Sequence, residues 1–237
     1  ASELKRQGAE CLVAYCGYWL YSSAVAAAVD ACKLPTIIWT STSSEDSGLV
    51  GAAIARGSLE ALGYEAQIVI ADWTDDDELE KIAKFVRAAH GANYLRGKTY
   101  VMFGGRSLGM YTGMIDELEW RNKFGIEVES AEQMDIVERA KQLDSDRVEK
   151  FYNWMLGTFG GIEVEKEVMD RSIRLHLAIK EFMTENKYEY CGIKCLTELP
   201  ANYASACVAH SFLNDGVDAE GEFGPFICGC ECDNNGA

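Results

Sequence analysis

The chain has 237 residues, of which 48% are hydrophobic and 25% are charged, and its formal net charge is −16 at pH 7. This length suits one large domain or two small ones, and the composition is typical of a globular protein with a substantial core. The acidic excess repels phosphate backbones, so we expect no nucleic-acid partner. No segment reaches about 18 uncharged apolar residues, so the sequence predicts no membrane span.

The first part of the chain alternates short apolar runs with helical patterns. A polar segment at residues 91–97 then precedes a fresh start of the alternation, so we place a domain boundary there and expect domains at residues 1–96 and 97–237. In this first domain we predict strands at 11–16, 36–39 and 66–71, and helices at 23–32, 48–62 and 75–90.

The second part continues the same alternation, which favours parallel sheets in a layered α/β architecture. It ends in an apolar strand that leads directly into Glu231. In this domain we predict strands at 98–104, 125–129, 188–194 and 224–230, and helices at 107–123, 131–143, 144–156, 163–185 and 200–213.

The nine cysteines are an odd number and lie in apolar sequence, which suits a reducing cytoplasm better than a disulfide framework. Cys228, Cys230 and Cys232 have the period of a strand, so we interpret them as one packed face rather than a metal site. The first residues do not form a signal peptide and lack an initiator Met. We therefore expect that the sequence is cut from a longer protein.

A glycine-rich connection, Phe103-Gly-Gly-Arg-Ser-Leu-Gly109, joins a predicted strand to a predicted helix. One interpretation is a tight turn in which Ser107 caps the helix. The other is a ligand-facing loop, in which Arg106 binds a hydroxyl group or an anion at the helix terminus. The pattern is neither a P-loop nor a complete dinucleotide-binding fingerprint.

Aromatic residues follow the first strand, among them Tyr18, Trp19 and Tyr21. They pack in the core on one interpretation and form a sugar-stacking surface on the other. At the opposite end of the chain, Glu231 follows the last strand, and open α/β sheets bind ligands at the carboxyl ends of their strands. No helix follows this strand, so we expect the groups that act with Glu231 to lie beyond Ala237.

Several of these segments, taken in order, resemble the L-fucose isomerase family, within the wider group of L-fucose and L-arabinose isomerases. The resemblance covers nearly the whole chain. The matching segments are residues 97–110 (GKTYVMFGGRSLGM), Asp116, the surroundings of Trp120, residues 124–128 (FGIEV), residues 191–195 (CGIKC) and residues 230–236 (CECDNNG).

The resemblance implies two Rossmann-like, three-layer domains, with a third, carboxyl-terminal domain absent from the chain. It also implies interconversion of an aldose and a ketose through an enediol, with a divalent metal, usually manganese. By position, Glu231 matches the first metal-binding and acid–base glutamate of the family. The further ligands, an Asp and a His, fall outside this chain, so on its own the chain is expected to be inactive. The motifs do not identify the sugar.

Other site residues follow from their places near the same sheet edge. Lys194 and Arg106 are candidates for binding sugar hydroxyls, and Asp233 is a candidate for a supporting role beside the metal. Trp19 is a candidate for the pocket of a neighbouring subunit, because the resemblance implies a homo-oligomer with shared sites. Two alternatives stay open: a non-catalytic sugar-binding protein, and a structural homologue whose catalysis comes from another chain.

Overall fold

A computed structural model describes residues 1–42 and 47–236. The sequence predicts a polar loop at residues 40–47, between the strand at 36–39 and the helix at 48–62, and residues 43–46 of that loop lie outside the described residues. The chain divides into two compact units, Ala1–Tyr94 and Leu95–Ala237. Each unit has its own parallel sheet. The fold class expected from the sequence, α/β with parallel sheets in Rossmann-like layers, is confirmed.

The first unit contains a three-stranded parallel sheet in the order β1-β2-β3. Its central strand is the β-branched segment Thr36–Thr40, in which every residue except Trp39 is buried. The strands are β1 (Leu12–Tyr15), β2 (Thr36–Thr40) and β3 (Ala66–Ile70), and the helices are α1 (Ser2–Arg6), α2 (Ser22–Cys32), α3 (Gly48–Ala61) and α4 (Asp76–Leu95).

Helices cover both faces of this sheet. Val29 of α2 and Leu59 of α3 share one core with Ile38, while Phe85 of α4 packs on the opposite side against a core that contains Ile37. Adjacent residues of a strand point to opposite faces, so Ile37 and Ile38 serve two different layers. The unit therefore has the expected three layers.

The second unit contains a four-stranded parallel sheet in the order β5-β4-β6-β9. A short antiparallel hairpin, β7–β8, lies outside it. The strands are β4 (Thr99–Phe103), β5 (Glu127–Ala131), β6 (Tyr190–Ile193), β7 (Val217–Asp218), β8 (Gly221–Glu222) and β9 (Ile227–Cys230). The helices are α5 (Glu117–Phe124), α6 (Gln133–Gln142), α7 (Ser145–Phe159), α8 (Lys166–Asn186), α9 (Glu198–Asn202) and α10 (Cys207–Asp215).

The two faces of the second sheet differ in their cover. Helices α6, α8 and α10 bury one face in the largest core of the unit, which includes Phe103, Ile179 and Ile193. On the other face, Trp120 of α5 packs with Tyr100 and Tyr190. No helix among the described residues is long and apolar enough to span a membrane.

Three element predictions were wrong in their bounds. Helix α4 continues to Leu95 through the segment predicted as a polar bridge, because the first glycine of that segment with positive φ is Gly97 and not Gly91. The helix predicted at 107–123 begins only at Glu117, since Leu108 and Gly109 have positive φ, which an α-helix cannot contain. The helix predicted at 200–213 is instead two helices, α9 and α10, separated at residues 203–206.

A buried ionic cluster attaches the β7–β8 hairpin to α8, and the sequence did not indicate it. The Asp218 carboxylate accepts hydrogen bonds from His176 Nε2 and Lys180 Nζ, both at 2.7 Å. Lys180 Nζ also reaches Glu220 Oε2 at 2.6 Å. Burial lowers the pKa of His176 despite the opposing effect of Asp218. Burial alone would raise the pKa of Asp218, but the bonds from His176 and Lys180 outweigh it and lower that pKa to about 2.

Replacing Asp218 with Asn is expected to lower the free energy of unfolding of the second unit by about 1–3 kcal/mol, because the buried Lys180 ammonium loses its buried anion and keeps only the more exposed Glu220. Denaturant unfolding measures the effect. The same kind of change at Glu149, in an exposed pair with Lys166, is the control and should have a much smaller effect.

The pH dependence of the free energy of unfolding gives a second test of Asp218→Asn. The Asp218 contribution is complete above the pKa of an unfolded aspartate, about 3.9, and is lost as the pH falls towards the folded-state pKa near 2. Asp218→Asn should therefore lack this acid-dependent loss of stability. Equal loss in the variant and the parent would show that Asp218 does not stabilise the hairpin.

Candidate functional site

Three loops meet at the carboxyl edge of the second sheet. Strands β4, β6 and β9 are parallel, so their carboxyl ends lie on the same side. The loops begin at Gly104, Lys194 and Glu231, each directly after its strand. This is the edge at which open α/β sheets bind ligands.

The Glu231 carboxylate joins these three loops. Its Oε2 atom accepts hydrogen bonds from the Ser107 hydroxyl, from Cys195 N–H at 3.1 Å and from Leu196 N–H at 3.0 Å. Among the described residues, Oε1 has only the shared Leu196 N–H, at 3.1 Å. The carboxylate is thus anchored through Oε2, and Oε1 retains free acceptor capacity.

Ser107 does not cap a helix, so that interpretation of the glycine-rich connection was wrong. The cap of α5 is Asp116, whose carboxylate accepts the Glu119 N–H at 2.9 Å. The Ser107 side chain is instead fully buried among the loops. No helix therefore begins within the glycine-rich connection at residues 103–109.

The segment after Glu231 is held by side-chain amides. Asn234 is buried; its Oδ1 accepts from the Tyr100 hydroxyl, and its Nδ2 donates to Gly113 O at 2.7 Å. Asn235 Nδ2 donates to Met114 O at 2.8 Å. These bonds fix the backbone immediately beyond the carboxylate.

Two of the three cysteines in this region are buried. These are Cys228 and Cys232, whereas Cys230 is exposed at the end of β9, so the expectation of one packed face was wrong for Cys230. Burial raises the pKa of Cys232 to about 12, so it stays a protonated thiol at neutral pH. The two buried cysteines pack as small apolar side chains, which is the role that the sequence predicted for them.

The structure brings Arg106, Lys194 and Asp233 to the same edge as Glu231. Arg106 is exposed, with its guanidinium 5.5 Å from the centre of the Tyr111 ring. Lys194 Nζ lies 3.1 Å from Glu198 Oε1. Asp233 Oδ1 is buried and has no hydrogen-bond partner among the described residues. Their roles in binding a substrate or a metal stay predictions.

Trp19 lies in the first unit, in the loop after β1. Its side chain is half exposed, and Tyr18 and Tyr21 are more exposed still, so the core-packing interpretation was wrong. The loop lies close to α3, where a Cβ at Gly51 would be 3.0 Å from Leu20 N. The rings therefore present an aromatic surface on a firmly packed backbone.

A cavity of about 310 Å³ lies on the face of the second sheet that α5 covers. Its walls include Tyr100, Trp120 and Tyr190, with Asn234 and Asn235 at one side. The Trp120 indole N–H already lies 3.3 Å from Asn235 Oδ1. Because this indole and both side-chain amides bond within the protein, the cavity suits apolar groups better than a sugar.

The donor set at this edge falls short of what a divalent metal needs. The described residues contain no group of three His, Cys, Asp or Glu side chains that could hold a metal ion. Glu231 Oε1 is one carboxylate oxygen with acceptor capacity left, and manganese prefers about six oxygen or nitrogen ligands. The described residues therefore do not complete a metal site by themselves.

The fold and this edge define a class: layered α/β proteins with an oriented carboxylate at the carboxyl ends of parallel strands. Comparison with known proteins narrows the class. Residues 1–97 match the family model described as "L-fucose isomerase, first N-terminal domain". The resemblance to the L-fucose isomerase family is thus confirmed.

Similarity to curated L-fucose isomerases extends beyond that first domain. The chain is 23% identical to the enzyme of Haemophilus influenzae (strain PittEE), over 93% of this chain and 39% of the relative. It is 24% identical to that of Phocaeicola vulgatus, over 65% of this chain and 27% of the relative. It is 22% identical to that of Escherichia coli (strain 55989 / EAEC), over 84% and 40%. The chain thus spans about two fifths of the length of the first and last of these relatives.

Gly192 makes the contact between Tyr100 and Asn234 possible. A Cβ at Gly192 would collide with the Tyr100 hydroxyl and lie 2.6 Å from Asn234 Oδ1. Gly192→Ala is therefore expected to lower the free energy of unfolding by about 1–3 kcal/mol, as overpacking does elsewhere.

Thermal or denaturant unfolding measures this change. Gly157→Ala is the control, because Gly157 lies in α7, a Cβ added there would meet open space, and alanine is favoured over glycine in helices by about 1 kcal/mol. If Gly192→Ala were as stable as Gly157→Ala, the close packing of Tyr100 and Asn234 would be contradicted.

Proposed function

We propose that this chain forms part of an aldose–ketose isomerase that acts on a sugar such as L-fucose or L-arabinose. The observation that carries the proposal is the Glu231 carboxylate, which is anchored through Oε2 and keeps Oε1 available at the carboxyl edge of a parallel sheet. The similarity to L-fucose isomerases along most of the chain supports the reaction class.

The chemistry requires a base that moves one proton between neighbouring carbons. Glu231 Oε1 would take a proton from C2 of the aldose and return it to C1. The hydroxyl proton on O2 would pass to O1 in the same conversion, so that C2–O becomes the carbonyl and C1–O the hydroxyl of the ketose. The carboxylate has to be held rigidly, because the same oxygen must stay within reach of both C1 and C2 during the transfer. The three donors to Oε2 meet this requirement.

A divalent metal, manganese in this proposal, would polarise the carbonyl and hydroxyl oxygens of the sugar. Within the chain, Glu231 is the residue that would contact it. Asp233, with its buried unpartnered oxygen, is a supporting residue beside that position. The remaining ligands would come from outside this chain.

Sugar binding involves the cations at the same edge and the aromatic surface of the first unit. We assign Arg106 and Lys194 to sugar hydroxyls, because both lie in the loops that meet Glu231. Trp19 is assigned to stacking on the sugar of a neighbouring subunit in a homo-oligomer. Its half-exposed ring supports this assignment, since aromatic faces suit the C–H face of a sugar.

A second candidate function is a non-catalytic sugar-binding homologue. The exposed rings of Tyr18, Trp19 and Tyr21 favour it, because they offer a sugar-binding surface that requires no acid–base group. The two candidates differ in whether Glu231 performs chemistry.

Glu231→Gln distinguishes them. In the protein made from the complete reading frame that encodes this chain, we expect turnover to fall by on the order of 10²–10⁴, because the amide is not a base. Glutamine keeps the shape of the side chain, so the fold should persist. The measurement is ketose formation from L-fucose and L-arabinose with saturating manganese.

The control is Glu222→Gln, the same chemical change on the exposed strand β8. It should leave turnover unchanged. Turnover of Glu231→Gln within a few-fold of the parent would rule out Glu231 as the catalytic base. Sugar binding without any turnover in the parent would favour the second candidate.

A further inference from the structure

We propose that Ser107 is a positioning residue for Glu231. Its hydroxyl selects which carboxylate oxygen is anchored and which one faces the reacting sugar. This assignment rests on the proposed function, and it gives Ser107 a role that neither the sequence motifs nor the resemblance indicated.

The Ser107 hydroxyl is placed between the loops. It is fully buried, bonds Glu231 Oε2 and lies 3.2 Å from the carbonyl oxygen of Leu196. A hydroxyl has one proton and an ionised carboxylate cannot donate, so the proton goes to Oε2 in the stronger, charge-assisted bond. Ser107 thus connects the loop after β4 to the residue after β9.

The other two donors to Oε2 cannot hold the carboxylate in the same way. Cys195 N–H and Leu196 N–H are adjacent in one loop, so they approach the carboxylate from one side. Leu196 N–H is also shared with Oε1, at 3.1 Å against 3.0 Å for Oε2. The Ser107 hydroxyl and Cys195 N–H bond Oε2 and not Oε1, so together they break the near-equivalence of the two oxygens, and Ser107 does so from a second loop.

Two observations indicate that this placement is specific. Glu231 has a φ of 54°, which residues other than glycine rarely adopt, so its surroundings must hold the backbone in this conformation. In addition, a buried hydroxyl needs a partner, and the position of Ser107 satisfies this need through the carboxylate. Removal of the hydroxyl should therefore free the carboxylate to turn, while the protein keeps its fold.

The kinetic test uses the protein made from the complete reading frame. Ser107→Ala should lower kcat about 10–100-fold with KM changed less than about threefold, since it disorders the base but removes no sugar contact. Ser107→Thr, which keeps the hydroxyl, should recover most of the loss. Ser172→Ala is the matched control, because Ser172 is also buried but bonds Val168 O within α8, and its kcat should equal that of the parent.

A second readout does not depend on activity. In the 237-residue chain, the amide protons of Cys195 and Leu196 report their bonds to the carboxylate by NMR. Both should shift in Ser107→Ala and in Glu231→Gln, and neither should shift in Ser172→Ala. This readout remains decisive if Ser107→Thr fails to fold.

The outcomes are distinguishable. Unshifted amides in Ser107→Ala, or parental kcat in Ser107→Ala beside loss of turnover in Glu231→Gln, would overturn the role of Ser107 alone. Parental turnover in Glu231→Gln would contradict the proposed function itself. Shifted amides with a fall in kcat that Ser107→Thr reverses would support the proposal.

Discussion

The hydrogen bonds to the Glu231 carboxylate hold together the carboxyl edge of the second sheet. The loops that supply the donors follow β4 and β6, and the carboxylate follows β9, so the bonds exist only because these strands run parallel and end at the same edge. The donors fix one oxygen and leave the other with acceptor capacity. If Glu231 is the base that we propose, this anchoring gives it the fixed orientation that isomerisation through an enediol requires.

The rest of the second unit supports this edge from two directions. In the segment after β9, the buried side-chain amide of Asn234 forms hydrogen bonds with the Tyr100 hydroxyl and with Gly113 O. These bonds fix the chain three residues beyond Glu231. Behind the sheet, α8 is buried against the core and carries the ionic contact of His176 and Lys180 with Asp218. Both arrangements place polar groups in buried positions with partners, as folded proteins generally require.

The sequence allowed the architecture to be predicted because it depends on local patterns. Apolar runs separated by helical periods predicted all seven strands of the two parallel sheets, and the apolar run before Glu231 predicted its place at the end of a strand. The β7–β8 hairpin was missed because its strands have only two residues each.

The site could be predicted only in part, since its contacts join residues far apart in the chain. Ser107 was interpreted as a helix cap because nothing in the sequence shows that Leu108 has positive φ, and its bond to Glu231 spans 124 positions. The donors of Cys195 and Leu196 are backbone N–H groups, which every residue except proline carries, so they leave no signal.

We propose that this chain contributes one oriented carboxylate to a metal-assisted isomerase site, for which the described residues alone hold too few metal ligands. Titration calorimetry of the 237-residue chain with manganese tests this claim most directly, with Glu231→Gln as the reference. We expect no saturable binding in the micromolar range and only a weak difference between the two proteins. Micromolar binding that Glu231→Gln abolishes would contradict it, because the chain would then hold a complete metal site.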